Sequence, residues 1–108
     1  MPDSLCRARL DAAALALNFS DIHPPFTPSQ AIVEAERCHH CYDAPCMEAC
    51  PTGIDIPGFI GRIASGDMRG SAKAILDSNI LGGSCARVCP TEILCEGSCV
   101  KVPQGERP

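Results

Sequence analysis

Cysteine placement is the feature that most constrains the fold of this chain. Eight of the nine cysteines fall into two groups, Cys38-x2-Cys41-x4-Cys46-x3-Cys50 and Cys85-x3-Cys89-x5-Cys95-x3-Cys99, and each group contains one Cys-Pro step. The chain has only 108 residues, with three Phe, one Tyr and no Trp. Such a short chain with so few large apolar side chains usually needs a covalent cross-link or a bound metal to fold stably. We therefore expect the cysteines to stabilise the fold.

The charge balance and the N-terminus narrow the class of protein. With 13 Asp plus Glu against 9 Lys plus Arg, the net charge is −4, which argues against a nucleic-acid partner. Residues 1–20 carry Arg7, Arg9 and Asp11 before a short apolar run, so they do not resemble a signal peptide, and no segment has transmembrane length. We expect a cytoplasmic protein, in which dense cysteine indicates metal or redox chemistry.

The pattern of apolar residues and helix caps predicts an all-α domain. Apolar residues at helical spacing predict a first helix over residues 4–17, and Thr27 with Gln30 predicts a capping box for a helix that ends near Arg37. Two further helices are expected to follow Asp55 and Asp67, the former ending at Gly66, and residues 79–83 are expected to form a loop. No segment alternates with the period of a strand.

The cysteine spacings are typical of iron–sulfur ligation. Cubane 4Fe–4S clusters bind soft thiolates, usually four for each cluster. In bacterial two-cluster ferredoxins, the cysteine before proline in C-x2-C-x2-C-x3-C-P binds the other cluster. Because Cys50 stands in that position, we expect Cys38, Cys41 and Cys46 to share one cluster and Cys50 to bind the second. Such crossed ligation would tie the two halves of the chain together.

Three other uses of these residues are weaker alternatives. Structural zinc also uses C-x2-C pairs, but its sites usually consist of two separated pairs. A disulfide framework does not suit the expected compartment or the odd number of cysteines. Rieske-type ligation would need His39 and His40 around a 2Fe–2S centre, and the cysteines already suffice without them. Cys6, outside both groups, is expected to be a free, half-buried thiol.

Two longer strings carry a resemblance to a known family. The first runs from Glu34 to Pro57 and contains Tyr-Asp-Ala-Pro-Cys, and the second runs from Asn79 to Val100 and begins Asn-Ile-Leu-Gly-Gly. Together they resemble the N-terminal iron–sulfur domain of dihydropyrimidine dehydrogenases and of the glutamate synthase small subunit. The sequences of these two strings are most similar to the flavin-containing subunit of the bacterial NAD-dependent dihydropyrimidine dehydrogenases. The resemblance covers about residues 22–100.

The resemblance implies an α-helical ferredoxin-like domain with two 4Fe–4S clusters, followed in the family by FAD- and NAD(P)H-binding domains. It also implies a ligand set for each cluster. The first cluster is assigned Cys38, Cys41, Cys46 and Cys99, and the second is assigned Cys50, Cys89 and Cys95. Cys99 thereby becomes a second crossing between the two groups.

The fourth ligand of the second cluster stays open. In dihydropyrimidine dehydrogenases it is a glutamine well downstream of the last cysteine, and Gln104 is too close to Cys99 to be its equivalent. Cys85 is a non-ligand position in those relatives, yet it could substitute here. An open iron site or a damaged cluster is the other outcome.

Two functional hypotheses follow. In the first, residues 1–102, with a core over about 22–100, form an electron-transfer domain of a larger FAD- and NAD(P)H-dependent oxidoreductase, and residues 103–108 lead toward its flavin and nucleotide domains. A partner catalytic subunit is expected, with no membrane and no nucleic acid. The chain has no Gly-x-Gly-x-x-Gly and no room for a nucleotide fold, so we do not expect it to catalyse hydride transfer alone, and we assign it no catalytic residue. In the second, the domain is a zinc-stabilised structural or interaction module.

Overall fold

Residues 9–108, the part that the computed structural model describes, form six α-helices and two short 3₁₀ helices. The α-helices are α1 (Ala12–Asn18), α2 (Pro28–Ala35), α3 (Pro45–Ala49), α4 (Ile56–Ala64), α5 (Met68–Ser78) and α6 (Gly82–Val88), and the 3₁₀ helices cover Thr91–Ile93 and Val102–Gln104. These residues include no β-strand, so the all-α prediction is confirmed over this range. No helix in it is long and apolar enough to cross a membrane.

Side-chain caps set where the central helices begin. At α2, Gln30 N donates to Thr27 Oγ1 at 3.3 Å, and Thr27 N donates to Gln30 Oε1 at 2.9 Å. This reciprocal pair is the predicted capping box. Asp55 and Asp67 cap α4 and α5 by accepting from the backbone N–H three residues further on, at 3.0 and 2.8 Å. The predicted starts of these three helices are confirmed.

Other helix boundaries differ from the predictions. Residues 4–8 of the predicted first helix, with Cys6, lie outside the described residues. Within them α1 begins only at Ala12, because Asp11 Oδ1 accepts from Ala14 N at 2.7 Å and so ends the extended segment before it. The predicted loop over residues 79–83 is too long, because α6 already begins at Gly82. The helix α3 was not predicted at all.

The turn between α4 and α5 sets how the two helices pack. Gly66 N donates to Ile63 O at 2.9 Å and Asp67 N donates to Arg62 O at 2.8 Å, which is a Schellman motif. Gly66 has φ +83°, a left-handed conformation that favours glycine, so the predicted stop at this residue is confirmed. The turn directs α5 back against α4, and α4 also packs against α2.

The cap of α5 is open to a direct test. Replacing Asp67 by Ala is expected to lower the free energy of unfolding by about 1 kcal/mol, because the N–H of Gly70 loses its acceptor. Asp67→Asn retains an acceptor oxygen and is the matched control. Denaturant titration under anaerobic conditions measures both, and equal stability of the two variants would contradict the capping role.

Large apolar side chains contribute little to the interior. Among the described residues, the buried apolar ones are Ala35 and Ala44, and neither is large. The accessible surface is 8528 Å², against about 5,800 Å² for a compact monomer of this mass. The shape is elongated, with extents of 64 × 29 × 27 Å. Hydrophobic burial therefore stabilises this fold less than it does an ordinary domain of the same length.

Candidate metal centre

The first cysteine group occupies the connection between α2 and α4. Two residues separate Cys38 from the end of α2, and the N–H of Cys38 donates to Ala35 O at 3.2 Å. His40 adopts φ +51°, which is uncommon for a residue with a side chain, and its N–H donates to Cys38 Sγ at 3.4 Å. Cys46 and Cys50 lie one turn apart because the N–H of Cys50 closes α3 on Cys46 O at 3.2 Å.

The second group repeats this arrangement. Cys89 caps the end of α6, and its N–H donates to Cys85 O at 2.9 Å. In both groups, then, two cysteines separated by three residues span the end of a short helix. A Cys-Pro-Thr tripeptide follows in each case, at residues 50–52 and 89–91. Cys99 is held by a turn, with its N–H donating to Glu96 O at 3.2 Å.

Five of the eight described cysteines line one cavity of about 440 Å³. They are Cys38, Cys41, Cys46, Cys95 and Cys99. Apolar side chains complete much of the wall, including Phe26, Phe59 and Ile60. The cavity therefore brings together all four residues of the predicted first ligand set, although Cys99 comes from the other group. Cys95, predicted for the second set, also faces this cavity, whereas Cys50, Cys85 and Cys89 lie outside its wall.

Electrostatic effects link thiols of the two groups. Burial raises the pKa of Cys46, and the nearby charges of Cys38 and Cys99 raise it further. Burial also raises the pKa of Cys95, with smaller contributions from the charges of Glu96 and Cys89. A positive metal centre would offset such repulsion between neighbouring thiolates. The charge of Cys99 thus affects the pKa of Cys46 across the two groups. The charge of Cys89 affects the pKa of Cys95 within the second group.

Cys50 has the opposite environment. Burial alone would raise the pKa of this thiol, but the Thr52 hydroxyl and the backbone N–H groups of Ile54, Thr52 and Gly53 outweigh it and lower the pKa. The Thr52 oxygen lies 3.5 Å from Cys50 Sγ. Hydrogen bonds to a thiolate favour its charged form, which is also the form that binds metal.

Asn79 contacts the sulfur of Cys85, which the sequence did not predict. Its Nδ2 donates to Cys85 Sγ at 3.0 Å, while its Oδ1 accepts from Leu81 N at 2.9 Å. Its backbone N–H also caps α5 by donating to Ile75 O at 2.9 Å. One side chain therefore links the end of α5 to the sulfur of Cys85. The sequence contained only one signal for this contact: an Asn that directly follows a helix and lies six residues before a cysteine.

Arg37 holds the end of the described chain beside the cavity. Its Nη1 pairs with Glu34 at 2.6 Å, and its Nη2 donates to the backbone carbonyl of Arg107 at 2.8 Å. All three residues contribute to the cavity wall, together with the buried Lys101. The segment after Cys99 therefore folds back over the cysteines of the first group. The two histidines of that group, His39 and His40, are exposed.

The donor chemistry of the cysteines suits an iron–sulfur cluster. All eight described cysteines are free thiols and half-buried, so none of them is committed to a disulfide. Within residues 9–108, no three His, Cys, Asp or Glu side chains converge on one point.

Comparison with known proteins gives consistent matches. Residues 15–108 match the profile of the family described as dihydropyrimidine dehydrogenase domain II, 4Fe-4S cluster. The chain is 48% identical over 81 residues to the NAD-dependent dihydropyrimidine dehydrogenase subunit PreT of Escherichia coli O157:H7 and to that of Salmonella typhimurium, covering 75% of this chain and 20% of each relative. It is also 35% identical over 88 residues to the NADPH glutamate synthase small chain of Halomonas elongata, covering 82% of this chain and 19% of that relative. The chain thus spans about a fifth of the length of the relatives it matches.

Proposed function

This chain belongs to the family of dihydropyrimidine dehydrogenase 4Fe–4S domains, as its motifs predicted, and we propose that it transfers electrons through two such clusters within a larger oxidoreductase. The observation that carries the proposal is the cavity in which Cys38, Cys41 and Cys46 meet Cys99. These four residues would hold the first cluster. Cys50, Cys89 and Cys95 would hold the second.

The fourth position of the second cluster has two candidates. Cys85 lies in α6, one turn before Cys89 at the end of that helix, so it is near one of the proposed ligands of the second cluster. The sulfur of Cys85 already accepts a hydrogen bond from Asn79, which leaves fewer of its lone pairs for a metal. The other candidate is a glutamine beyond residue 108, which the resemblance to dihydropyrimidine dehydrogenases implies.

The residues around the cysteines set the conditions for electron transfer. A 4Fe–4S cluster, when bound, accepts and releases one electron at a time. The apolar wall formed by Phe26, Phe59 and Ile60 would limit solvent access on one side of the first cluster. Crossed ligation through Cys50 and Cys99 would hold the two clusters close together, since each group would then contribute to both.

The surroundings of this domain follow from its relatives. Because the chain spans about a fifth of their length, we propose that residues 1–102 form the cluster domain and that 103–108 lead toward FAD- and NAD(P)H-binding domains. These domains, with a partner catalytic subunit, would exchange electrons with the clusters. The residues of this chain would carry electrons and would not catalyse hydride transfer themselves.

Metal and sulfide analysis tests the proposal. Protein purified or reconstituted without oxygen is expected to contain about eight iron and about eight acid-labile sulfide per chain and to absorb broadly at about 400 nm. Dithionite should bleach this absorbance, and air should restore part of it. Zinc bound without acid-labile sulfide would overturn the proposal and support a structural zinc module instead.

A further inference from the structure

Two identical tripeptides in this chain make different contacts. Cys50-Pro51-Thr52 and Cys89-Pro90-Thr91 each follow the end of a short helix. In the first, the Thr52 hydroxyl lies 3.5 Å from Cys50 Sγ. In the second, the Thr91 backbone N–H donates to Cys89 O at 2.9 Å and the residue begins a 3₁₀ helix. Among the described residues, no hydroxyl reaches the sulfur of Cys89.

The turn after Cys50 brings the Thr52 hydroxyl to within 3.5 Å of the sulfur of that cysteine. Gly53 N donates to Cys50 O at 2.9 Å, which closes the turn, and Gly53 takes a left-handed φ of +63°. Successive N–H groups in such a turn form a concave site that favours negative charge. A bound thiolate has no proton, so in this contact the hydroxyl must be the donor.

We propose that Thr52 is a redox-tuning residue, whose hydroxyl hydrogen bond to Cys50 raises the reduction potential of the cluster that Cys50 binds. The inference rests on the proposed function, because it assumes that Cys50 is a ligand. Reduction adds one electron and therefore one unit of negative charge, which is shared with the ligand sulfurs. A hydrogen bond to such a sulfur strengthens as the charge grows, so it stabilises the reduced state more than the oxidised state.

Thr52→Val tests the inference because it keeps the shape and the branching of the side chain and removes only the hydroxyl. Midpoint potentials are measured by dithionite titration of the reconstituted protein with electron paramagnetic resonance detection. One of the two clusters should become harder to reduce by several-fold in its one-electron equilibrium, and a tenfold change corresponds to about 59 mV. Because Thr52 is exposed and water can replace part of the bond, we expect no larger shift.

Two further variants separate tuning from structure. Thr52→Ser retains the hydroxyl and should keep both potentials at wild-type values. Thr91→Val makes the same change in the second tripeptide and should leave the cluster affected by Thr52→Val unchanged. Iron and sulfide contents should equal those of the wild type in all three variants.

The outcomes are distinguishable from a failure of the proposed function. If the wild type itself contains no iron and sulfide, the electron-transfer proposal fails. If the wild type carries clusters but Thr52→Val leaves both potentials unchanged, only the tuning role is overturned. It is also overturned if Thr52→Ser shifts the potential as far as Thr52→Val, or if Thr52→Val loses iron, since Thr52 would then act on structure alone.

Discussion

The double variant Cys41→Ala/Cys99→Ala is expected to retain about half of the iron and acid-labile sulfide, although it removes one cysteine from each group. In the crossed arrangement both residues bind the first cluster, so the second cluster keeps all its ligands. Both residues line the same cavity as Cys38 and Cys46, which supports this pairing, although Cys95 of the second set also lines it. Iron and sulfide analysis of anaerobically reconstituted protein measures the result.

The companion variant is Cys41→Ala/Cys50→Ala, which removes two cysteines from the same group. Here crossed ligation predicts damage to both clusters and the loss of most of the iron, because Cys50 would bind the second cluster. If each group instead bound its own cluster, the two double variants would exchange their results. Cys6→Ala, which lies outside both groups, is the control and should leave the iron content unchanged.

Gly97→Ala is expected to destabilise the domain and to lower its iron content. A Cβ at this position would lie 2.6 Å from the backbone oxygen of Glu92 and 3.3 Å from Cα of Ile93. These atoms belong to the backbone around the 3₁₀ helix at Thr91–Ile93 and cannot rotate away, so the loop must shift. Overpacking of this kind costs about 1–3 kcal/mol. The shift would also displace Cys95 and Cys99, between which Gly97 lies.

The matched control for this prediction is Gly83→Ala. Gly83 lies inside α6, and a Cβ there would meet no atom within 4 Å. Because Ala has a higher helix propensity than Gly, Gly83→Ala should be neutral or stabilising by up to about 1 kcal/mol. Denaturant titration and iron analysis are made on both variants. Wild-type stability and iron content in Gly97→Ala would show that the loop between the cysteines tolerates displacement.

Helix starts were predictable because their causes are local. Thr27, Asp55 and Asp67 each accept from a backbone N–H three residues further on, so the signal lies within one turn. The first helix was misjudged in the described part of the chain for a related reason. Leu10 continued the apolar pattern, but Asp11 beside it is the cap, and a cap ends the preceding segment.

The short helices α3 and α6 were not predictable by the same means. Neither has a side-chain cap, and α3 has only five residues, too few to show an apolar period. Their positions depend on the packing of the chain around the cysteines. The contact of Arg37 with the carbonyl of Arg107 is similar, because it joins residues 70 positions apart and has no local signal.

The two cysteine groups, with their soft ligands and regular spacing, already indicated an iron–sulfur domain, because the choice of metal depends on donor type and spacing along the chain. Two string motifs specified the family, and the family match agrees with them. Which sulfurs face a common cavity was decided only by the tertiary structure, since Cys46 and Cys99 meet through the packing of distant segments. The Cys-Pro-Thr tripeptides show the same limit. Their sequences are identical, but the backbone that follows directs the hydroxyl of Thr52 to a sulfur and turns Thr91 into a helix.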